Sequence, residues 1–127
     1  MKNIIYLALL FLGACSTCKI PLGNYESFSA TESQVLLTLA KNEFVLSHET
    51  WLPGQYENRE QVEERGAWSC SGGEVVIHTK IEEAKAQLKV IGENPLGYPS
   101  TTKALVFEKS KNNALSQEIL YPVNEEK

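Results

Sequence analysis

Past residue 24 the apolar positions come in short stretches, about one every ten residues, separated by polar punctuation; that spacing predicts antiparallel strands joined by turns. The stretches 33–40 (SQVLLTLA) and 43–51 (EFVLSHETW) are linked by Lys41-Asn42, a connection short enough for a tight hairpin. Strand alternation puts Val35, Leu37 and Leu39 on one face of the first strand. In the second, Phe44, Leu46, His48 and Thr50 share a face opposite Val45, Ser47, Glu49 and Trp51. After a turn at Leu52-Pro53-Gly54-Gln55, the charged stretch 57–65 continues through Gly66-Ala67-Trp68-Ser69-Cys70 as a second long arm, ended by Ser71-Gly72-Gly73. Residues 74–79 (EVVIHT) follow as a strand of β-branched character. Residues 81–86 (IEEAKA) have the composition to start a helical turn, but 87–91 reads better as strand, and strand is the expectation for the region. A Pro- and Gly-rich loop over 94–100 precedes closing strands at 103–109 and 117–121, with Asn112-Asn113 as the turn between them. About eight short strands at this spacing fit an all-β fold, a small antiparallel up-and-down barrel of lipocalin-like form, because closure removes exposed sheet edges.

The first twenty residues follow a different pattern. Met1-Lys2-Asn3 precedes an unbroken apolar run at 4–12, which is closed by Gly13-Ala14-Cys15: the positive, apolar and small-residue order of a secretory signal. A membrane-spanning helix needs about 20 apolar residues, so this run cannot cross a bilayer by itself. The tetrad Leu12-Gly13-Ala14-Cys15 resembles the bacterial lipobox. That resemblance implies a diacylglyceryl group on the Cys15 thiol, cleavage after Ala14 and, in many members, acylation of the new amine. Two or three chains at about 0.8 kcal/mol per buried methylene make a durable anchor, whereas one chain is marginal. The expected organisation is a signal peptide over 1–14, a lipidated tether over 15–22, a β-barrel domain over 23–122 and a polar tail over 123–127. In a source with two membranes, Ser16 after the lipid cysteine matches default sorting to the outer membrane, facing the periplasm; the expected location is the cell envelope.

Removing residues 1–14 of the 127 leaves enough chain for one compact domain. That segment carries Lys2 and no acid, so the remainder holds 16 acidic against 11 basic side chains. Nucleic acid is therefore an unsuitable partner, since its binders normally present a basic face. All acidic residues are Glu, and the absence of Asp rules out Ser-His-Asp triads, Asp-rich calcium loops and Asp dyads.

Gly23-x-Tyr25, the Leu36-Leu37 strand, Asn42-x-Phe44, Tyr56, Gly66-x-Trp68 and Glu74-Val75-Val76-Ile77 occur in an order that resembles the N-terminal barrel of the NlpE-like copper-resistance and envelope-stress lipoproteins. The pattern is also similar to other lipocalin-like bacterial lipoproteins, and it covers about residues 23–79. The resemblance implies a small barrel and an envelope location. Where that family carries Cys-x-x-Cys, this chain has Ser27-Phe28-Ser29-Ala30-Thr31-Glu32, so the family's copper and redox roles do not carry over.

Cys15-Ser16-Thr17-Cys18 also has Cys-x-x-Cys spacing, but a lipidated Cys15 has no thiol to offer. Cys18 and Cys70 are the remaining thiols. In an oxidising compartment they either pair across a loop of about 50 residues, for about 4 kcal/mol in the chain-entropy model, or stay as a buried Cys70 and a free Cys18; the sequence leaves both open. His48 and His78 lie on expected strands, where they and the two cysteines form the candidate set for an alternative reading, a periplasmic metal-handling or redox-sensing protein. Without paired histidine spacing, no metal site and no cofactor is expected. Glu57, Glu60, Glu63 and Glu64, with Arg59 and Arg65, look like a carboxylate site but fit a solvated face better. No phosphate loop, nucleophile elbow or zinc motif is present, and no catalytic residue is expected. The leading expectation is a non-catalytic protein held to a membrane by lipid, whose barrel binds an envelope partner protein or a small apolar ligand. An apolar cavity would favour a ligand; a filled core with exposed aromatics such as Trp51, Tyr56 and Tyr98 would favour a protein.

Overall fold

The structure, a computed structural model, describes residues 17–27, 32–91, 102–112 and 114–123. Among the described residues nine strands are present: β1 Gly23–Ser27, β2 Ser33–Leu39, β3 Phe44–Thr50, β4 Glu60–Gly66, β5 Trp68–Ser71, β6 Glu74–His78, β7 Glu83–Val90, β8 Lys103–Phe107 and β9 Ile119–Pro122. All nine belong to one antiparallel sheet in the order β4-β3-β2-β1-β9-β8-β7-β6-β5, with β1 pairing β9 through Tyr25↔Pro122, Glu26↔Tyr121 and Ser27↔Leu120. Apart from β4 and β5, which do not pair with each other, each strand otherwise pairs with its neighbour in the chain, so the sheet is an up-and-down barrel, nearly closed.

The two outer members of that order, β4 and β5, are consecutive in sequence and separated only by Ala67. They are two halves of one bent arm. Its first half pairs β3 from Thr50↔Glu60 to Phe44↔Gly66, and its second pairs β6 from Trp68↔Ile77 to Ser71↔Glu74. The ring is thus completed by the chain itself at this seam. The sequence reading of about eight strands treats 57–70 as one arm; the bend at Ala67 divides it. At the bend the Ala67 carbonyl accepts from His78 N at 3.1 Å, while the Glu64 carboxylate accepts from Lys80 N at 2.6 Å. Gly66 is needed here: a Cβ would lie 2.9 Å from Phe44 Cε2 and 3.3 Å from the His78 carbonyl oxygen.

Alternation decides the core. Tyr25, Val35, Leu37, Leu39, Phe44, Leu46, Val75, Ile77, Leu105 and Leu120 are buried and point inward, and cross-strand pairs such as Leu37↔Leu46 place them side by side. Opposite them, β7 offers Ala84 and Ala86, fully buried, whose small size admits the larger side chains. The same alternation, with Glu83, Lys85 and Gln87 outside, makes all of 83–90 strand and removes the helical turn considered over 81–86. The turn expected at Asn112-Asn113 is shifted: Asn112 is buried and its carbonyl accepts from Leu115 N and Ser116 N at 3.0 and 2.9 Å, the chain reverses through 114–117, and β9 begins at Ile119. Gln117, at φ 62°, takes the left-handed conformation there instead of starting the strand.

Candidate functional site

The barrel has two ends. One carries residues 17–22, the 40–43 turn and the 72–73 turn; the other carries the loops at 51–59, 79–82 and 108–118. We call them the disulfide end and the distal end. A strand of seven residues separates them, about 20 Å.

At the disulfide end, Cys18 and Cys70 are joined, with Cα atoms 5.4 Å apart. The Gly72-Gly73 turn makes this junction: Gly72, at φ 60°, accepts from Lys19 N at 2.7 Å and donates to the Thr17 carbonyl at 2.9 Å, so Thr17–Lys19 runs beside it. Ile20, 4 % exposed, then enters the core, and the Tyr25 hydroxyl donates to the Pro21 carbonyl at 2.6 Å. Burial pushes that hydroxyl's pKa up to about 12. Residues 17–21, expected as part of a tether, are therefore stitched to the barrel. Beside them Trp68 donates from its indole nitrogen to the Ala40 carbonyl at 2.8 Å, and a shallow groove runs between Ile20, Leu22, Lys41, Trp68 and the disulfide.

At the distal end, three side chains of the β3–β4 connection and one near the end of β3 form an array. Tyr56, in a single 3₁₀ turn at Tyr56–Asn58, meets Trp51 edge-on with centroids 4.9 Å apart, and the Arg59 guanidinium lies 4.3 Å above the Tyr56 ring. Arg59 also reaches the Glu49 carboxylate at 3.5 Å, and Glu49 is buried at 6 % exposure. A buried carboxylate needs such a partner. Tyr56 and Leu52 remain exposed, and Gly54 at φ 76° turns the loop between them. Strand alternation put Glu49 and Trp51 on one face; their meeting with Tyr56 and Arg59 depends on the loop path, for which the sequence holds no signal.

The other candidates are dispersed. His48 shares the inward parity of Phe44 and Leu46, whereas His78 has the opposite parity from Val75 and Ile77 and is exposed. They do not face each other. His48 acts on Glu118, whose carboxyl is raised above its usual range by burial, against the lowering effect of the nearby imidazole. The set Cys18, Cys70, His48 and His78 is not assembled, and among the described residues no group of three or more His, Cys, Asp or Glu side chains is placed to hold a metal. Glu57, Glu60 and Glu63 are exposed, with Glu63 3.6 Å from Arg65. Cys15 and Tyr98 lie outside the described residues.

One constellation went unread in the sequence. His78 Nε2 is 3.4 Å from Ser69 Oγ and its Nδ1 is 3.3 Å from Glu83, the order of nucleophile, base and orienting acid. Both distances are long for such bonds. The row lies across the outer faces of β5, β6 and β7, where His78 and Glu83 side chains are 40 % and 57 % exposed. Preorganised donors in a water-excluded site are what give such a row its power, and a convex sheet face supplies neither.

No family model, curated protein or solved structure matches this chain.

Proposed function

We propose that this chain is a non-catalytic lipoprotein of a bacterial envelope, lipidated on Cys15, whose barrel presents its distal end to a partner protein. The Leu12-Gly13-Ala14-Cys15 tetrad at the end of an apolar run carries the anchoring half of this reading. The disulfide supports an oxidising location, since such bonds persist outside the cytoplasm. The choice of protein over small ligand rests on the interior: inward positions along the barrel are filled by Leu37, Phe44, Ile77, Leu105 and Leu120, all under 2 % exposed. A carrier needs that space open. The distal array supplies the opposite feature, aromatic rings and an arginine in mutual contact on an exposed loop, the residue types that dominate protein interfaces. The likeness to NlpE-like barrels belongs to this proposal and extends to fold and location only.

The deciding experiment compares wild type with Cys15→Ser, both expressed from the full sequence in a bacterial host, by mass and detergent partitioning. Wild type gains acyl mass and enters the detergent phase, and the variant does neither. An unacylated, water-soluble wild type overturns the reading. A second reading, a surface hydrolase using Ser69, His78 and Glu83, has the row just described in its favour; turnover of an activated ester above the buffer rate, lost in Ser69→Ala, would establish it.

A further inference from the structure

The disulfide end has features that a freely hanging barrel has no use for. Leu22 is 58 % exposed, on a groove it shares with Ile20, Trp68 and Lys41, and Lys19, exposed, precedes Ile20 in the chain. The Trp68 ring is held in place by its bond to the Ala40 carbonyl, one residue before Lys41. An exposed leucine, a fixed indole with one polar edge and lysines together make up the side-chain set found where proteins meet the headgroup layer of a bilayer.

Geometry says what covers this face. Cys18 is fixed to Cys70 and Lys19 to Gly72, so the chain leaves the barrel here. Three residues span at most about 11 Å, so Cys15 lies within that distance of Cys18. Lipid on Cys15 would bring the bilayer surface to this end and to no other; the distal end, about 20 Å away along the strands, would point outward. A long tether would decouple barrel and membrane, and the disulfide shortens it to three residues.

We propose that the disulfide end is a membrane seat: the barrel stands on an anionic bilayer, with Leu22 and Trp68 in the interface and Lys19 and Lys41 against the headgroup phosphates. This rests on acylation of Cys15, as proposed above. Without residues 1–14 the chain holds 16 acidic against 11 basic side chains, and Glu43 and Glu74 are exposed at this end, so favourable contact with an anionic surface depends on these local lysines.

The protein's two tryptophans, one at each end, make the test internal. Full-length protein purified from a bacterial host is first weighed for acyl mass on Cys15, then reconstituted in vesicles of phosphatidylcholine and phosphatidylglycerol in equal parts, with and without a doxyl quencher near the top of the acyl chain. In Trp51→Phe, which leaves Trp68 as the emitter, the quencher removes about half of the emission, as expected for an indole at interface depth. In Trp68→Phe, which leaves Trp51, it removes almost none. Adding Leu22→Glu to Trp51→Phe changes an exposed position and restores most of the emission. If Cys15 carries no acyl mass, the lipoprotein reading fails and the seat with it. If Cys15 is acylated while Trp68 is unquenched, or quenched no more than Trp51, the reading stands and the seat alone is wrong.

Discussion

Replacing Gly66 with alanine measures how tightly the bend in the long arm is packed. The new methyl carbon would lie 2.9 Å from Phe44 Cε2 and 3.3 Å from both Phe44 Cζ and the His78 carbonyl oxygen. Carbon atoms in favourable contact sit about 3.5–4.0 Å apart, so the ring must give by about 0.6 Å or more. Phe44 is wholly buried and has no solvent to swing into, and the His78 carbonyl is held by its strand. Overpacking of this kind costs about 1–3 kcal/mol. Against it stands the lower backbone entropy of alanine in the unfolded chain, about 0.5–1 kcal/mol in its favour. The steric term wins, and the net loss is about 1–2 kcal/mol. Urea unfolding of the oxidised protein, followed by circular dichroism, should show a lower midpoint at unchanged slope. Shortening the ring provides the control. Phe44→Leu alone destabilises, but in its presence Gly66→Ala should cost about 1 kcal/mol less than in wild type. A Gly66→Ala protein as stable as wild type, or strict additivity with Phe44→Leu, would refute this account of the bend.

Other perturbations read other parts of the structure. The Cys18–Cys70 link spans 52 residues, so a Cys18→Ala/Cys70→Ala protein should lose about 4 kcal/mol in urea and melt about 15 °C lower; a loss under about 1 kcal/mol would mean that the closed loop barely restrains the unfolded chain. Tyr25 ionises near 10 when unfolded and near 12 when folded, so stability is intact below pH 10 and falls as pH rises from 10 towards 12. Tyr25→Phe should flatten that alkaline limb, and identical limbs in the two proteins would count against burial as its cause. Burial raises the Glu118 carboxyl, so its contribution is present below its unfolded pKa and lost as pH rises through the folded one. Glu118→Gln should therefore gain more stability at pH 7 than at pH 4, and an equal effect at both would be the contrary result.

The parts of this barrel legible in the sequence are those where neighbours in the chain are neighbours in space. Lys41-Asn42 marks the β2–β3 hairpin, closed by Ala40 N donating to the Glu43 carbonyl at 2.8 Å, and the Gly72-Gly73 turn marks β5–β6. Alternation likewise places Leu37 and Leu46 in the core. What escaped reading depends on contacts between distant segments. The bend at Ala67 exists because β6 returns to pair with Trp68–Ser71; Gly66 marks a close approach there, but not which strand makes it. The Ser69–His78–Glu83 row needs three strands in register, and the Glu49–Arg59 pair needs a loop folded back on its own strand. Alternation does separate His48 from His78 once the inward face of each strand is known, but two strands distant in the chain carry no mark of their relative facing.

The pairing of the first strand with the last has a consequence for how the protein is made. Tyr25, Glu26 and Ser27 find their partners at Leu120, Tyr121 and Pro122, the far end of the chain. Contacts of such long sequence separation form slowly, because loop entropy is lost before they are made. Until the last residues are made the chain can form hairpins but no ring, and β1 keeps an unpaired edge until β9 arrives. Disulfide formation between Cys18 and Cys70 needs only the first 70 residues, so the N-terminal segment can be fastened well before the barrel shuts. Any truncation before Ile119 leaves that edge open permanently, an aggregation hazard of the kind that folded barrels avoid.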